Sequence, residues 1–234
     1  LRKVEATYLI FYITYLIVVC VSVFFEKRLL VYVKPIVPVS LIYLYFKFVK
    51  ESSLLFPLSM LVIAITDVFI YLDFVKYYTV IAVLIFTFYG LCSFLLKDFI
   101  SKKDVKLKVF ASPPVIVSII LIGYLIFSII DLVLPKIINS VGAMSLIVIG
   151  LLLFVTICFF IYVSDRYEKS IYLFIAACCT LFVDALLAIN ELYYYSREFT
   201  ILINGVEILG IYFFTKFFID TKPIDIKSIN DTYF

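Results

Sequence analysis

Apolar residues along this chain come in runs of about 20, separated by short polar stretches, and no run alternates apolar with polar at a period of two. A helix rising about 1.5 Å per residue needs roughly 20 apolar residues to cross a bilayer core, so the pattern predicts spanning helices and not barrel strands. Eight runs can be drawn, at about Ala6–Phe25, Leu29–Val49, Leu54–Leu72, Tyr77–Leu96, Pro114–Leu134, Val141–Val163, Ile171–Asn190 and Phe199–Ile219. The expected fold class is all-α: a polytopic membrane helix bundle of about eight transmembrane helices. Residues 1–234 form one integral membrane domain, with a short polar tail over 220–234. Connections are short, so sequential helices are expected to be antiparallel neighbours. Gly90 and Ser93 near the end of the fourth run read as a close helix contact. The first run has no small-residue cleavage site after it and reads as a retained helix.

Composition agrees. The chain is 65% hydrophobic, with a mean hydropathy of +1.19, against about 45–50% apolar in soluble domains. It contains no histidine, which excludes His-ligated zinc, Ser-His-Asp triads and Cys-His dyads. This argues against the seven-span zinc hydrolases related to ceramidases. The five cysteines lie in apolar runs without C-x-x-C spacing and read as packing residues. No metal site and no cofactor are expected.

Charge sets the orientation. With loops assigned alternately, 14 of the 20 Lys and Arg fall on the side that holds both termini and 5 on the other, with Lys34 inside a span. The basic side stays cytoplasmic, so both termini are expected in the cytoplasm and the chain in a bacterial inner membrane. The Lys97–Lys108 stretch contributes most and reads as topogenic. A net charge of +3 points to anionic lipid at one face, not to nucleic acid.

This orientation collects the ionisable groups of the spans into one layer. Lys34 lies about five residues, roughly 8 Å, below the outer edge of the second span, and Glu207 about eight residues, roughly 12 Å, into the eighth. Asp67 and Asp184 are about five and six residues from the outer ends of the third and seventh spans. Asn190, Glu191, Asn204 and Asp131 lie nearer the same surface. In the seventh span, Ala177, Thr180, Asp184, Ala188 and Glu191 share one helical face, which should pack inward. An unpaired charge at that depth costs on the order of 3 kcal/mol or more, so such groups face the bundle interior and have a purpose. If Asp67 and Asp184 met in a low-dielectric bundle, they would supply a general acid beside a general base, the minimum for acid-catalysed hydrolysis without metal or histidine. The structural alternative is a Lys34–Asp ion pair that holds helices in register. Tyr193–Tyr195 read as an interfacial aromatic belt.

Three marks resemble the YhhN family of eight-span membrane proteins, which includes the lysoplasmalogenases. They are a Lys-Pro pair opening the second span (VYVKPIVP, Val31–Pro38), an Asp in the third (AITDVFIYL, Ala64–Leu72) and an Asp in a small-residue-rich seventh (AACCTLFVDALLA, Ala176–Ala188). Thr66-Asp67 and Val183-Asp184 stand where the family has Gly-Asp and Ser-Asp. The resemblance implies a lysolipid hydrolase that cleaves a vinyl ether and releases a fatty aldehyde. Asp67 and Asp184 would then be catalytic, one donating the proton and the other orienting water. Lys34 would bind phosphate or tune the pair, and Glu207, Asn204 and Asn190 would complete a substrate pocket. The implied partners are a lysophospholipid or other lipid and the bilayer itself. Two other classes fit the same polar layer: a transporter or flippase, for which the spans show no convincing internal repeat, and a non-catalytic lipid-binding paralogue.

Overall fold

The computed structural model describes residues 2–49, 52–100, 113–133, 135 and 140–222. Among them there is no strand. The α-helices are α1 (Arg2–Phe24), α2 (Leu30–Val33), α3 (Ile36–Phe48), α4 (Leu55–Asp73), α5 (Tyr78–Leu95), α6 (Pro113–Val133), α7 (Val141–Val163), α8 (Ile171–Leu192) and α9 (Arg197–Asp220). Among the described residues, seven stretches are long and apolar enough to cross a membrane, and α6 contributes a shorter apolar one, Ile120–Leu132. The chain is an integral membrane protein, a polytopic helix bundle, as its hydrophobic pattern predicts. Lys50, Lys136, most of the basic stretch after Ile100 and the tail after Lys222 lie outside the described residues.

The second span is one passage made of several pieces. A turn of 3-10 helix over Lys27–Leu29 leads into α2, and α3 begins after Lys34-Pro35. Pro35 has no N–H, and its ring crowds the carbonyl four residues back. The chain answers with a tighter closure, Val37 N donating to the Lys34 carbonyl at 3.0 Å. Lys34 therefore stands at a break in the helix, with its side chain turned into the bundle.

The helices close into a ring. α1 packs on α2, α3 and α9; α3 on α4; α4 on α5; α5 on α7; α7 on α8; and α8 on α9. The sixth helix stands outside this ring and leans on α8. The expected pairing of sequential helices fails there, and the fourth and sixth spans lie side by side in the same direction. Gly150 of α7 faces Phe86 and Tyr89 of α5, and one turn on Phe154 stacks on Tyr89 with ring centroids 5.6 Å apart. A Cβ at Gly150 would stand 3.1 Å from Phe86 Cδ2 and 3.3 Å from Tyr89 Cδ2, so glycine is what permits the approach. Nothing comparable draws α6 in. Ile120, Leu121, Tyr124 and Phe127 are each more than 60% exposed, and lipid tails solvate such a surface as well as a neighbouring helix does.

Gly90 has open space where a Cβ would stand, so the close contact expected there is absent. The tight seam is instead between α8 and α9, where a Cβ on Gly210 would meet Cys179 Cβ at 3.0 Å. Both ends of the ring's chain lie on one face. Lys216 Nζ donates to Tyr8 Oη at 3.0 Å near that face, and Arg197 Nη2 donates to the Phe25 carbonyl at 3.0 Å near the opposite one. The half of the bundle nearer the termini is filled by aromatic rings. Phe99 packs on Phe217 at 4.9 Å and on Tyr167 at 5.4 Å, and Tyr45 stacks on Phe56 at 4.1 Å. This plug leaves the other half for polar side chains.

Candidate functional site

The break at Pro35 delivers Lys34 to the centre of the polar layer. Its ammonium lies 2.7 Å from Asp67 Oδ1 and 2.5 Å from Glu207 Oε2, with the Tyr71 hydroxyl at 3.5 Å. The ammonium donates to Glu207 and Tyr71, while Asp67 Oδ1 stands at ion-pair distance without a hydrogen bond of its own. Lys34 is 2% exposed and Asp67 1%. Desolvating charges so fully is tolerable only when each is partnered. The triad carries two carboxylates against one ammonium, an excess of one acid over base.

Tyr71 extends the network. It lies one helical turn after Asp67 on the same face of α4 and donates to Asn204 Oδ1 at 2.6 Å. Asn204 is wholly buried, and its amide donates to Ser22 Oγ at 3.1 Å and to the Thr200 carbonyl at 2.9 Å. Asn204 therefore holds α1, α4 and α9 together and fixes the Tyr71 ring against Lys34. Asn190 is occupied nearer the surface. Its carbonyl accepts from Ser196 N at 2.9 Å, and its amide donates to Glu191 and Thr200, closing the turn between α8 and α9. Beside it Lys27 meets both Glu191 oxygens at 2.6 Å.

Asp184 stands apart from Lys34. Its Oδ2 accepts from the Tyr89 hydroxyl at 2.6 Å, and among the described residues no cation lies against it. Asp184 and Glu207 line one central cavity of about 50 Å³, with Thr66, Tyr89, Thr180 and Phe154 also on its wall. A cavity needs about 10–15 Å³ of such space for one water, so this one has room for a few. Thr66, not Asp67, borders it. Of the six residues singled out from sequence, Lys34, Asp67, Glu207 and Asn204 join one network, Asp184 faces it across the cavity through Glu207, and Asn190 serves the adjoining turn. Among the described residues, no group of three or more Cys, Asp or Glu is placed to hold a metal ion.

Tyr71 and Tyr89 were not singled out from sequence. The four-residue step from Asp67 was a usable signal for Tyr71, but 19 tyrosines in the chain diluted it. Tyr89 carries no such signal, because its partner is 95 residues away. Comparison with protein-family models, with curated proteins and with solved structures finds no match to this chain.

Proposed function

We propose that this protein is a membrane-embedded lysolipid hydrolase of the lysoplasmalogenase type, cleaving a vinyl ether by carboxylate acid–base chemistry. The observation that supports this reading is the pair Asp184 and Glu207 on the wall of one small cavity, with Glu207 alone of the two ion-paired among the described residues. Glu207 carries the counter-charge of Lys34 and suits the base that orients water. Asp184, bonded to a neutral phenol, suits the proton donor. Asp67, outside the cavity, positions Lys34.

The reaction follows from these roles. Asp184 protonates the β-carbon of the vinyl ether, and the ether oxygen stabilises the cation that forms. Water held by Glu207 adds to the carbon bearing that oxygen and gives up a proton to the carboxylate. The resulting hemiacetal collapses, its C–O bond to glycerol breaking as the departing oxygen takes the proton from Glu207 and the hydroxyl returns one to Asp184. The products are a fatty aldehyde and a glycerophospho-alcohol, and one water is consumed. In a bacterial inner membrane, with the termini inside, the substrate would come from the outer leaflet.

The test is aldehyde release from lysoplasmalogen by the purified protein in detergent, with Asp184→Asn and Glu207→Gln alongside. General acid–base groups contribute about 10²–10⁴-fold, so each variant should lose at least about 10²-fold while unfolding at the parent's temperature. An inactive parent, or two variants near the parent rate, overturns the assignment.

A further inference from the structure

A second cavity, of about 80 Å³, lies between α6 and the ring. Its wall includes Ile129 and Ile130 of α6, Met144 and Val148 of α7, and Leu181 of α8, with Asp184 its one acidic side chain. A third hollow, of about 260 Å³, is bordered by Val141, Ser145 and Ile149 and shares Ile130, Met144 and Val148 with the second. Val141 is 45% and Ile149 57% exposed, so this hollow opens on the surface that meets acyl chains. Asp184 in turn borders the central cavity with Glu207. Shared walls thus join the lipid-facing surface, the apolar groove, Asp184 and the central cavity in one line.

From this continuity we infer that a hydrocarbon chain enters sideways from the bilayer, between α6 and α7, and lies in the groove with its polar end at Asp184. The reactive end of that chain rests on the hydrolase reading; the seat of the chain does not. Here α5 packs directly on α7 and leaves α6 outside the ring as a cover over the groove. The groove has almost no polar lining, so a headgroup there would lose its hydration without compensation, whereas a hydrocarbon loses nothing. An apolar cavity of this kind also stays dry and accepts apolar guests. The mouth sits at the start of α7, the end nearer the polar layer, and the aromatic plug closes the far half. A vinyl ether joins glycerol to its chain, so a chain seated in the groove brings that bond to Asp184.

The absence of tryptophan gives a clean test. Val148→Trp and, separately, Ile129→Trp place a sole tryptophan, excited apart from the tyrosines, on the groove wall, and Ile65→Trp places one on a lipid-facing side of α4. Each is titrated in detergent micelles with a brominated-chain lysophosphatidylcholine. The groove reporters should quench saturably, by at least about twofold, and recover when the unbrominated lipid is added. The α4 reporter should fall only in proportion to the micelle's bromine content. Quenching alike at all three positions overturns the inference, as does a groove reporter that never saturates in a variant unfolding like the parent. This readout stands whether or not aldehyde is released. If it is released, Leu181→Phe should slow a long-chain substrate at least tenfold more than a four-carbon analogue.

Discussion

Glu207 shares the wall of the central cavity with Asp184 while its Oε2 accepts from Lys34 at 2.5 Å. One carboxylate therefore belongs to two arrangements, an ion-pair triad and the wall of a small central cavity. Asp67 belongs to the first alone. The charge that makes the triad's second carboxylate hard to explain as pure packing is the one that the proposed hydrolysis would use.

The two acids of the triad should accordingly separate by their kinetic effects. Asp67→Asn keeps an oxygen for the Lys34 ammonium and leaves Glu207 as its counter-charge. Its turnover should fall about tenfold or less, against about 10²-fold or more for Glu207→Gln, which loses the base itself. Steady-state aldehyde release compares them. The reverse ranking would make Asp67 the reacting group and demote Glu207 to its support.

Removing the ammonium is a matter of stability before it is one of rate. Lys34→Met leaves Asp67 and Glu207 buried against each other without a cation. Losing one partner of a buried pair costs about 3–5 kcal/mol, and the thermal midpoint in detergent should drop accordingly. Adding Asp67→Asn removes one of the stranded charges and should restore part of the loss. A Lys34→Met protein as stable as the parent would mean that the triad is hydrated and not closed.

These contrasts also mark how far the chain could be read in advance. Lys34, Asp67, Asp184 and Glu207 announced themselves because each interrupts an apolar run, and the count of basic loop residues put them in one layer. Which carboxylate meets the lysine was not legible, since that depends on how helices rotate: Lys34 finds Asp67 and Glu207, and Asp184 finds a tyrosine. The place of α6 was not legible either. Its run is as apolar as the others, and what excludes it is the fit of Gly150 against α5, a contact between two distant segments. Asn190 looked like part of the layer and lies at the right depth, but its amide closes a turn.

The α8–α9 seam leaves little room for a side chain at Gly210. The added Cβ would stand 3.0 Å from Cys179 Cβ and 3.7 Å from the Ala176 carbonyl oxygen. Overpacking of this kind costs about 1–3 kcal/mol. Gly210→Ala should lower the thermal midpoint, and Gly210→Val should lower it further. Cys179→Gly combined with Gly210→Ala removes the clash and should recover most of the loss. A Gly210→Val protein as stable as the parent would mean that the seam gives way to the added side chain.

Everything proposed about the substrate depends on which leaflet holds the polar layer, and that can be settled by thiol labelling. Tyr194 lies on the polar-layer face between α8 and α9 and is 63% exposed; Ser52 lies on the opposite face, between α3 and α4, and is exposed. Basic loops remain cytoplasmic, so Tyr194→Cys should react with a membrane-impermeant maleimide on intact spheroplasts, and Ser52→Cys only after the membrane is opened. The native thiols make a low background, because Cys92 and Cys158 are buried and Cys20, Cys178 and Cys179 sit within spans, away from water. The opposite pattern would put Lys34, Glu207 and Asp184, with the groove that leads to them, in the cytoplasmic leaflet. The chemistry would survive that result, but the lipid drawn between α6 and α7 would have to be one made or exposed on the inner side.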